Sequence, residues 1–308
     1  MTGGRRNQPP TEDGPEAGGA ERAAPTVSAG ETALSAAVDL EKLEIRLLLE
    51  AIGERYGYDF RDYAKASMRR RVMACVETER AGTVSGLQAM VLHQPECVER
   101  VLSTLTVHTT SMFRDSGFYV AFRQKVVPLL ATYPFVRLWI AGCSSGEEAY
   151  STAILLHEEG LLEKTRIFAT DLSGVAVRTA REGIYPVAQI QKDTENYHRA
   201  GGRRAFAEYY TARYDRVVFR DFLKTHLVFA QHNLVTDASF NEFHAVLCRN
   251  VMIYFQKPLQ DKVHQLLYES LAPLGLLALG RGESLRFSPR ETCYDEFDAT
   301  ERIYRKMT

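Results

Sequence analysis

The sequence has few cysteines and no excess of charge of either sign. Its five cysteines are odd in number, widely spaced and never arranged as C-x-x-C, which argues against both a disulfide framework and a zinc site. Thirty-eight lysine and arginine residues balance thirty-nine aspartate and glutamate residues, so the net charge does not favour binding to nucleic acid or to an anionic membrane. We therefore expect a metal-free protein of the reducing cytoplasm.

Long apolar runs are also missing. No run approaches the roughly 18 residues of a membrane-spanning helix, and the first residues lack the apolar core of a signal peptide. These absences predict a soluble protein that is neither inserted in a membrane nor exported. The chain has 308 residues, 45% of them hydrophobic, which is enough for a sizeable core and for one larger and one smaller domain.

The first half of the chain divides into a tail and a helical region. Residues 1–34 contain almost no large apolar side chains and cannot offset the entropy of ordering, which predicts a disordered tail. Asp39 is the expected N-cap of the first helix. Residues 35–130 are predicted to form a helical domain and linker, with later helices near 66–80, 84–92, 97–105 and 118–130.

From residue 131 onward, short apolar runs alternate with helical segments. This rhythm predicts a doubly wound, Rossmann-like α/β domain over residues 131–308. Its strands are expected near 136–141, 166–170, 226–230, 245–248 and 275–279, with helices near 148–159, 174–182 and 258–271. The segment of about 184–225 is too long for a plain connection, so we predict a small insertion containing β-structure.

A glycine turn followed by two carboxylates is the most informative local feature. Gly142 and Gly146 follow an apolar strand, and Glu147 and Glu148 then occupy the expected start of a helix. Acidic groups there would repel a pyrophosphate, whereas a cationic nucleoside without phosphate would be accepted, and S-adenosylmethionine fits that description. The alternative is that these carboxylates only stabilise the N-terminus of the helix.

Polar residues follow four successive predicted strands. Asp171 can accept hydrogen bonds from both hydroxyls of a ribose, or can instead cap the next helix. Asn233 comes after the third strand, and Arg249 and Asn250 come after the fourth. Because ligands bind beyond the carboxyl ends of parallel strands, these residues are candidates for contacts to the adenine and to the reacting centre.

Four segments carry a resemblance to a known family. They are Ala-Gly-Cys-Ser-Ser-Gly-Glu-Glu-Ala-Tyr-Ser (141–151), Phe-Ala-Thr-Asp-Leu-Ser (168–173), Ala-Arg-Glu-Gly-Ile-Tyr (180–185) and Cys-Arg-Asn-Val-Met-Ile-Tyr-Phe (248–255). They resemble the CheR family of chemoreceptor glutamate methyltransferases. Upstream, Thr-Val-His-Thr-Thr-Ser-Met-Phe-Arg-Asp (106–115) looks like the family's loop between its helical and catalytic domains.

The resemblance implies a set of site residues. Arg114 and Tyr254 would face the methyl-transfer site. Contacts to S-adenosylmethionine would come from His108, Thr110, Arg114, Glu147, Asp171, Asn233, Leu234, Arg249 and Asn250. The chain departs from the family pattern at His108, where Asn is usual, at Ala149, where Pro is usual, and at Gly280-Arg-Gly-Glu283, where a Gly-His-Ser-Glu-like turn is usual. A core or helix-end histidine is the alternative interpretation of His108.

The helical region offers a surface for an acceptor protein. Met68, Val72, Cys75 and Val76 share one side of a helix, which predicts that the nearby arginines fan outward into solvent; these are Arg69, Arg70 and Arg71. The resemblance implies that they meet the acidic, helical methylation region of a chemoreceptor. An ordinary solvated face is the alternative. Pairing of a receptor tail with an edge of the insertion is a further implication.

The leading hypothesis is methyl transfer from S-adenosylmethionine to glutamate side chains of a chemoreceptor or receptor-like protein. The products would be a glutamate methyl ester and S-adenosylhomocysteine. A glutamate with a pKa of about 4.3 is already ionised at neutral pH, so the enzyme needs to position its acceptor and needs no general base. Two alternatives stay open: another protein or a small carboxylic acid as acceptor, and a non-catalytic module that senses the cofactor or its product.

Overall fold

The computed structural model of the protein describes residues 29–106 and 110–307, with side chains from residue 38 onward. The chain forms two compact units, Met1–Glu41 and Lys42–Thr308. All contacts reported below lie within the second unit.

Four helices form the N-terminal part of the described chain: α1 (Ala29–Tyr56), α2 (Lys65–Thr78), α3 (Val84–His93) and α4 (Pro95–Leu105). The Thr83 hydroxyl caps α3 by accepting from the Gly86 N–H at 2.9 Å, and Pro95 opens α4. The expectation that the first helix begins at Asp39 is wrong, because α1 begins at Ala29. Residues 29–34, assigned to the tail, are helical; alanines in this stretch have high helix propensity. The tail before Ala29 lies outside the described residues.

A bent helical segment leads into the sheet. Helix α5 (Ser116–Ala121) continues through a π-helical turn at Phe122–Val126 into α6 (Val127–Ala131). The sequence predicts one continuous helix here. A π-turn places one extra residue in a turn of the helix, which shifts the side chains of the flanking parts relative to each other.

The second half is built on a seven-stranded sheet, with the strand order β6-β2-β1-β7-β8-β10-β9. The strands are β1 (Val136–Ala141), β2 (Thr165–Asp171), β6 (Leu227–Gln231), β7 (Phe243–Cys248), β8 (Leu271–Leu279), β9 (Tyr294–Asp298) and β10 (Ile303–Lys306). The first five are parallel, and β10 runs antiparallel to both β8 and β9. The predicted doubly wound α/β fold is confirmed, and the antiparallel pair β9 and β10 is an addition to it.

Helices cover both faces of this sheet. They are α7 (Glu147–Glu158), α8 (Gly174–Glu182), α10 (Asp221–Lys224) and α11 (Lys257–Ser270). Ser173 caps α8 by accepting from the Ala176 N–H at 3.2 Å, and Gly183 ends it with a left-handed φ of 63°. Strand order reverses at β1, whose neighbours are β2 and β7, so the carboxyl ends of these three strands form the expected ligand crevice.

The insertion contains a second, three-stranded antiparallel sheet with the order β3-β5-β4. Its strands are β3 (Ile184–Pro186), β4 (Tyr210–Arg213) and β5 (Arg216–Phe219). The predicted β-structure is present in this segment. The sequence pattern gave no indication of the helix α9 (Ile190–Arg199), which lies between β3 and β4.

Alternate residues of β1 belong to two different cores. Leu138 and Ile140 pack with α5, α7 and the insertion, whereas Trp139 and Ala141 pack with the N-terminal helices and α11. Side chains that alternate along a strand point to opposite faces of a sheet. The N-terminal helices are therefore continuous with the core on one face of the seven-stranded sheet.

A short backbone pairing joins the loop between α1 and α2 to the loop that follows β7. Tyr63 and Phe255 form an isolated antiparallel bridge, and the Ala64 N–H donates to the Tyr254 carbonyl at 2.8 Å. The Gln256 N–H donates to the Asp62 carbonyl at 2.8 Å. These bonds hold the loop between α1 and α2 against the sheet's ligand crevice.

A buried carboxylate ties α7 to the insertion. Glu158 accepts hydrogen bonds from the hydroxyls of Tyr197 and Tyr209 and pairs with Arg123. Arg123 also donates to Glu159 at 2.7 Å. Burial alone would raise the pKa of Glu158, but these donors outweigh it and hold the pKa below its ordinary value.

We expect Glu158→Ala to lower the free energy of unfolding by about 3 to 5 kcal/mol, because it removes one of the two carboxylates that pair with the buried Arg123 and the acceptor of the Tyr197 and Tyr209 hydroxyls. The measurement is equilibrium unfolding in urea at neutral pH. Glu163→Ala removes an exposed carboxylate and is the matched control, with an expected change of within about 0.5 kcal/mol. Equal effects of the two substitutions would contradict a stabilising role for the Glu158 cluster.

Candidate functional site

Two adjoining cavities lie at the carboxyl ends of the parallel strands. The first is lined by Tyr63, Arg71, Thr106, Gly142, Asp171, Leu172, His232, Asn233, Leu234, Val235, Asn250, Val251, Tyr254 and Phe255. The second is lined by Thr110, Arg114, Gly142, Cys143, Ser144, Glu148, Arg249, Asn250 and Tyr254. Because Gly142, Asn250 and Tyr254 line both, the cavities meet at these three residues.

Asp171 ends β2 and forms part of the wall of the first cavity. Its two carboxylate oxygens accept from the Ser144 N–H at 2.8 Å and from the Ser173 N–H at 2.9 Å. These bonds fix the orientation of the carboxylate, whose oxygens act as hydrogen-bond acceptors. The arrangement can accept hydrogen bonds from a pair of neighbouring hydroxyl groups.

The glycine turn after β1 brings backbone close to the cavities. The N–H groups of Gly142 and Cys143 both donate to the Thr170 carbonyl at 2.8 Å. Gly142 has a φ of 79°, and a Cβ atom there would lie 2.4 Å from the Val251 side chain. No other residue fits at this position without displacing Val251.

The two carboxylates after the turn have different surroundings. Glu148 lines the second cavity, whereas Glu147 is buried and accepts from the Ser145 hydroxyl at 2.7 Å. Glu147 does not line either cavity. Its predicted contact with a cofactor therefore stays a prediction, and Glu148 is the carboxylate that the structure brings to the cavity wall.

Arg249 is buried at the end of β7 between two carboxylates. It donates to Glu148 at 2.9 Å and to Asp115 at 3.2 Å, and its guanidinium carbon lies 3.9 Å from the centre of the Phe118 ring. It also donates to the Arg114 carbonyl at 3.3 Å. The Arg249 guanidinium thus holds the start of α7 against the segment that carries Arg114.

One buried carboxylate organises the loop after β7. Glu283 accepts from the N–H groups of Gly280, Asn250, Val251 and Met252 at 2.6 to 2.9 Å, and from Ile253 at 3.3 Å. Burial raises the pKa of Glu283, and these backbone donors oppose that rise. The loop takes a left-handed φ of 60° at Asn250 and presents Tyr254 where the cavities meet.

The N-terminal helices supply one wall of the first cavity through Tyr63, Arg71 and Thr106. The prediction that Arg71 points into solvent is wrong, since this residue is only 8% exposed. It donates to the Leu105 carbonyl at 2.5 Å, and its guanidinium carbon lies 4.8 Å from the centre of the Tyr254 ring. On α2, Arg71 lies directly beside the buried Val72, so its stem is covered and its charge faces the cavity. Arg69 and Arg70 are exposed, as predicted.

Thr110 and Arg114 line the second cavity, whereas His108 lies outside the described residues. Asn233 and Leu234 line the first cavity. The side-chain oxygen of Asn233 accepts from the Val235 N–H at 2.9 Å, which shapes the turn after β6.

The structure thus brings together most of the predicted site residues and adds others. Sequence reasoning missed the pocket-lining roles of Tyr63 and Phe255 and the anchoring role of Glu283. The apolar patterns around Tyr63 and Phe255 also fit ordinary core residues. For Glu283, an acidic residue after a predicted buried strand was an available signal.

No cluster of His, Cys, Asp and Glu side chains suited to a metal ion occurs in residues 29–106 and 110–307. No described helix is both long and apolar enough to cross a membrane. All five cysteines are free thiols.

The residues fit a nucleoside that carries an amino acid. The first cavity offers the Asp171 carboxylate for hydroxyl groups and apolar walls for a base, among them Leu234 and Phe255. The second offers an acidic group, Glu148, beside the guanidinium of Arg249. Charges of both signs in one small cavity match an ammonium and a carboxylate group.

The fold and the site are those of an S-adenosylmethionine-dependent methyltransferase, and residues 108–300 match the family described as CheR methyltransferase, SAM binding domain. Residues 43–106 match its companion, CheR methyltransferase, all-alpha domain. The chain therefore belongs to the CheR methyltransferase family, which confirms the resemblance noted in the sequence.

Relatives of this family cover most of the chain. The Pseudomonas putida protein Cher3 is 48% identical over 264 residues, which are 86% of this chain and 97% of that protein. A chemotaxis protein methyltransferase of Listeria monocytogenes is 27% identical over 249 residues, 80% of this chain and 92% of its own. Chemotaxis protein methyltransferase 1 of Vibrio cholerae is 33% identical over 191 residues, 60% of this chain and 67% of its own.

The buried Glu147 should make stability depend on pH. Burial raises its pKa to about 7, and the Ser145 hydroxyl only partly offsets this. Because the folded pKa lies above the ordinary value, the folded state binds the proton more tightly, and this stabilisation is lost as the pH rises through about 7. We expect Glu147→Gln to be more favourable to stability at pH 8 than at pH 5, by about 1 to 3 kcal/mol. The measurement is urea unfolding of both proteins at the two pH values.

The exposed Glu163→Gln is the control and should show no such difference. If Glu147→Gln gave the same change in unfolding free energy at pH 5 and at pH 8, the raised pKa would be refuted.

Proposed function

We propose that the protein is a protein-glutamate O-methyltransferase that modifies a chemoreceptor or a receptor-like helical protein. It would convert a glutamate side chain to its methyl ester and release S-adenosylhomocysteine. The observation that carries the proposal is the position of Tyr254 where the two cavities meet, with Arg71 beside it in the wall of the first cavity. A buried guanidinium stacked on a tyrosine ring at this point suits a carboxylate acceptor.

We also propose that different parts of the chain bind the acceptor and catalyse methyl transfer. Residues 35–130 would form the acceptor-binding helical domain and linker, and residues 131–308 the catalytic domain with its small β subdomain at about 184–225. Residues 1–34 would be a tail outside both. The family matches at residues 43–106 and 108–300 support a boundary between the first two.

The cofactor would occupy both cavities. Asp171 would accept from the ribose hydroxyls, and Asn233 and Leu234 would border the adenine. The methionine portion would lie in the second cavity, among Thr110, Arg114, Arg249 and Asn250. Glu148 joins this set because it lines that cavity beside Arg249. The contacts to the cofactor that are predicted for His108 and Glu147 belong to the same proposal.

When bound, S-adenosylmethionine supplies a methyl group on a positively charged sulfur. The residues of this chain have to hold an ionised carboxylate in line with that group, and alignment alone can contribute a large part of the rate. Arg71 lines the first cavity, Arg114 lines the second, and Tyr254 lines both. Tyr254 would border the path of the methyl group and orient the acceptor.

Within the described ranges, Arg71 forms no ion pair. A buried cation without a counter-charge is costly, and an acceptor carboxylate would remove that cost. We therefore extend the predicted acceptor set, in which Arg69 and Arg70 dock the acceptor helix on the exposed side of α2. Arg71 would bind the reacting carboxylate itself.

The names of two relatives support a chemoreceptor as the acceptor, since both are chemotaxis protein methyltransferases. A cytoplasmic location belongs to the same proposal. It accords with the five free thiols, which are typical of reducing compartments.

The proposal is tested with methyl-labelled S-adenosylmethionine and membranes that contain chemoreceptors. We expect label on the receptor that is released by mild alkali, as a carboxyl methyl ester requires. Alkali-stable label would assign the enzyme to a different acceptor group. Tight binding of the cofactor without transfer to any carboxylate would identify a non-catalytic sensor and overturn the proposal.

Two arginine substitutions separate docking from carboxylate binding. Arg70→Glu should raise the KM for a receptor acceptor about 10-fold or more, because it reverses a charge on the docking face, and should leave kcat nearly unchanged. Arg71→Ala should lower kcat about 10- to 100-fold, because it removes the group that orients the reacting carboxylate. Steady-state kinetics with purified receptor membranes measure both.

Arg46→Glu reverses an exposed arginine on α1 and is the control for nonspecific charge effects. Calorimetric titration with S-adenosylhomocysteine checks that each variant keeps its cofactor site. A normal kcat in Arg71→Ala would refute the assignment of Arg71.

A further inference from the structure

One helix of the insertion forms hydrogen bonds to the segment that carries Thr110 and Arg114. On α9, the Asp193 carboxylate accepts from the Met112 N–H at 3.1 Å. One turn later, the Asn196 side-chain amide donates to the Met112 carbonyl at 3.1 Å. Both backbone groups of Met112 are thus bound by side chains from a part of the chain more than 80 residues away.

Burial and a further backbone hydrogen bond fix the conformation of this segment. Met112 and Phe113 are fully buried, and the Phe113 N–H donates to the Ser151 hydroxyl at 2.9 Å. Phe113 and Asp115, which flank Arg114, both have left-handed backbone angles, with φ of 51° and 57°. Such an angle is unfavourable for phenylalanine, although aspartate adopts it more readily, and at Phe113 it persists because the surroundings hold it.

Side-chain packing reinforces the same contact. The Phe113 ring lies edge-on to Tyr197 of α9, with 5.3 Å between ring centres. Asp193, Asn196 and Tyr197 follow the spacing i, i+3 and i+4, so they share one face of the helix. That face meets the segment from Met112 to Phe113, while Lys192 and Glu195 on the same helix are exposed.

We infer that Asp193 and Asn196 are positioning residues for the methyl-transfer reaction, acting through the Met112 backbone on Arg114. The inference deepens the proposed function and rests on its assignment of Arg114 to the site. Arg114 follows Met112 by two residues and lines the second cavity. Release of the Met112 peptide would let the Arg114 guanidinium move away from the acceptor carboxylate.

The inference also gives the insertion a task in catalysis. Helix α9 lies between β3 and β4 in the chain. The three-stranded sheet and the side chains that bind the Met112 backbone therefore belong to the same insertion. The Arg249 guanidinium also donates to the Arg114 carbonyl, at 3.3 Å. Arg114 is therefore held between a residue of the catalytic sheet and a helix of the insertion.

The test compares four variants of α9 in the full chain. Asn196→Ala and Asp193→Ala should each lower kcat on the receptor acceptor about 10- to 100-fold, since small displacements of a positioning group cost rates of this order. The KM for the receptor should change less than twofold, because the docking face on α2 is untouched. Asp193→Asn should restore most of the rate, because an amide oxygen still accepts from the Met112 N–H.

Tyr197→Phe separates positioning from stability. It removes a hydroxyl bonded to Glu158 and should destabilise the fold without releasing Met112. If Tyr197→Phe lowered kcat as much as Asn196→Ala at equal loss of unfolding free energy, the effect would be structural and the inference would be overturned. Wild-type kcat in both alanine variants would overturn it as well.

A second measurement does not depend on the acceptor. Hydrogen exchange at the Met112 and Phe113 amides should quicken at least 10-fold in Asp193→Ala and Asn196→Ala, and not in the exposed Gln191→Ala. Failure of the proposed function would appear as absence of transfer in the wild-type protein while this exchange result still held. Unchanged exchange in both variants would show that Asp193 and Asn196 do not hold the Met112 backbone.

Discussion

The burial of the Glu283 carboxylate behind the loop after β7 is the constraint on which the site most depends. A buried carboxylate needs donors, and the backbone N–H groups of the loop provide them. Meeting that need forces the left-handed turn at Asn250 and directs Tyr254 to the meeting point of the cavities. The same loop then pairs with Tyr63 of the helical part. The Glu283 carboxylate thus determines the shape of the loop after β7.

Much of this architecture could be predicted from the sequence. The parallel strands follow from apolar runs that end in polar residues, and the predicted first strand has the observed bounds of β1. Asp171, Asn233 and Asn250 could be placed at the ligand crevice because strand ends in a doubly wound sheet converge. The motifs around Arg249 gave the family. These features are local in the chain, or follow from a general rule of topology.

The remaining features depend on contacts between distant segments. Arg71 was assigned to solvent because helical periodicity separates faces but does not reveal which neighbour covers the boundary between them. Tyr254 lies 183 positions later in the chain, so its stacking on Arg71 has no local signature. The antiparallel strand β9 was missed because Tyr-Asp-Glu-Phe-Asp has little of the apolar character of a strand. The start of α1 was missed because alanine-rich helix and polar tail have similar compositions.

The bridge between Tyr63 and Phe255 has a consequence for how the protein can be divided or exchanged among relatives. Tyr63 forms part of the wall of the first cavity and precedes the first strand of the sheet by more than 70 residues. A sheet expressed without the N-terminal helices would leave that cavity open to bulk water on one side. Because Arg71 of α2 lines that cavity beside Tyr254, a chimera that exchanges α2 must also preserve this wall.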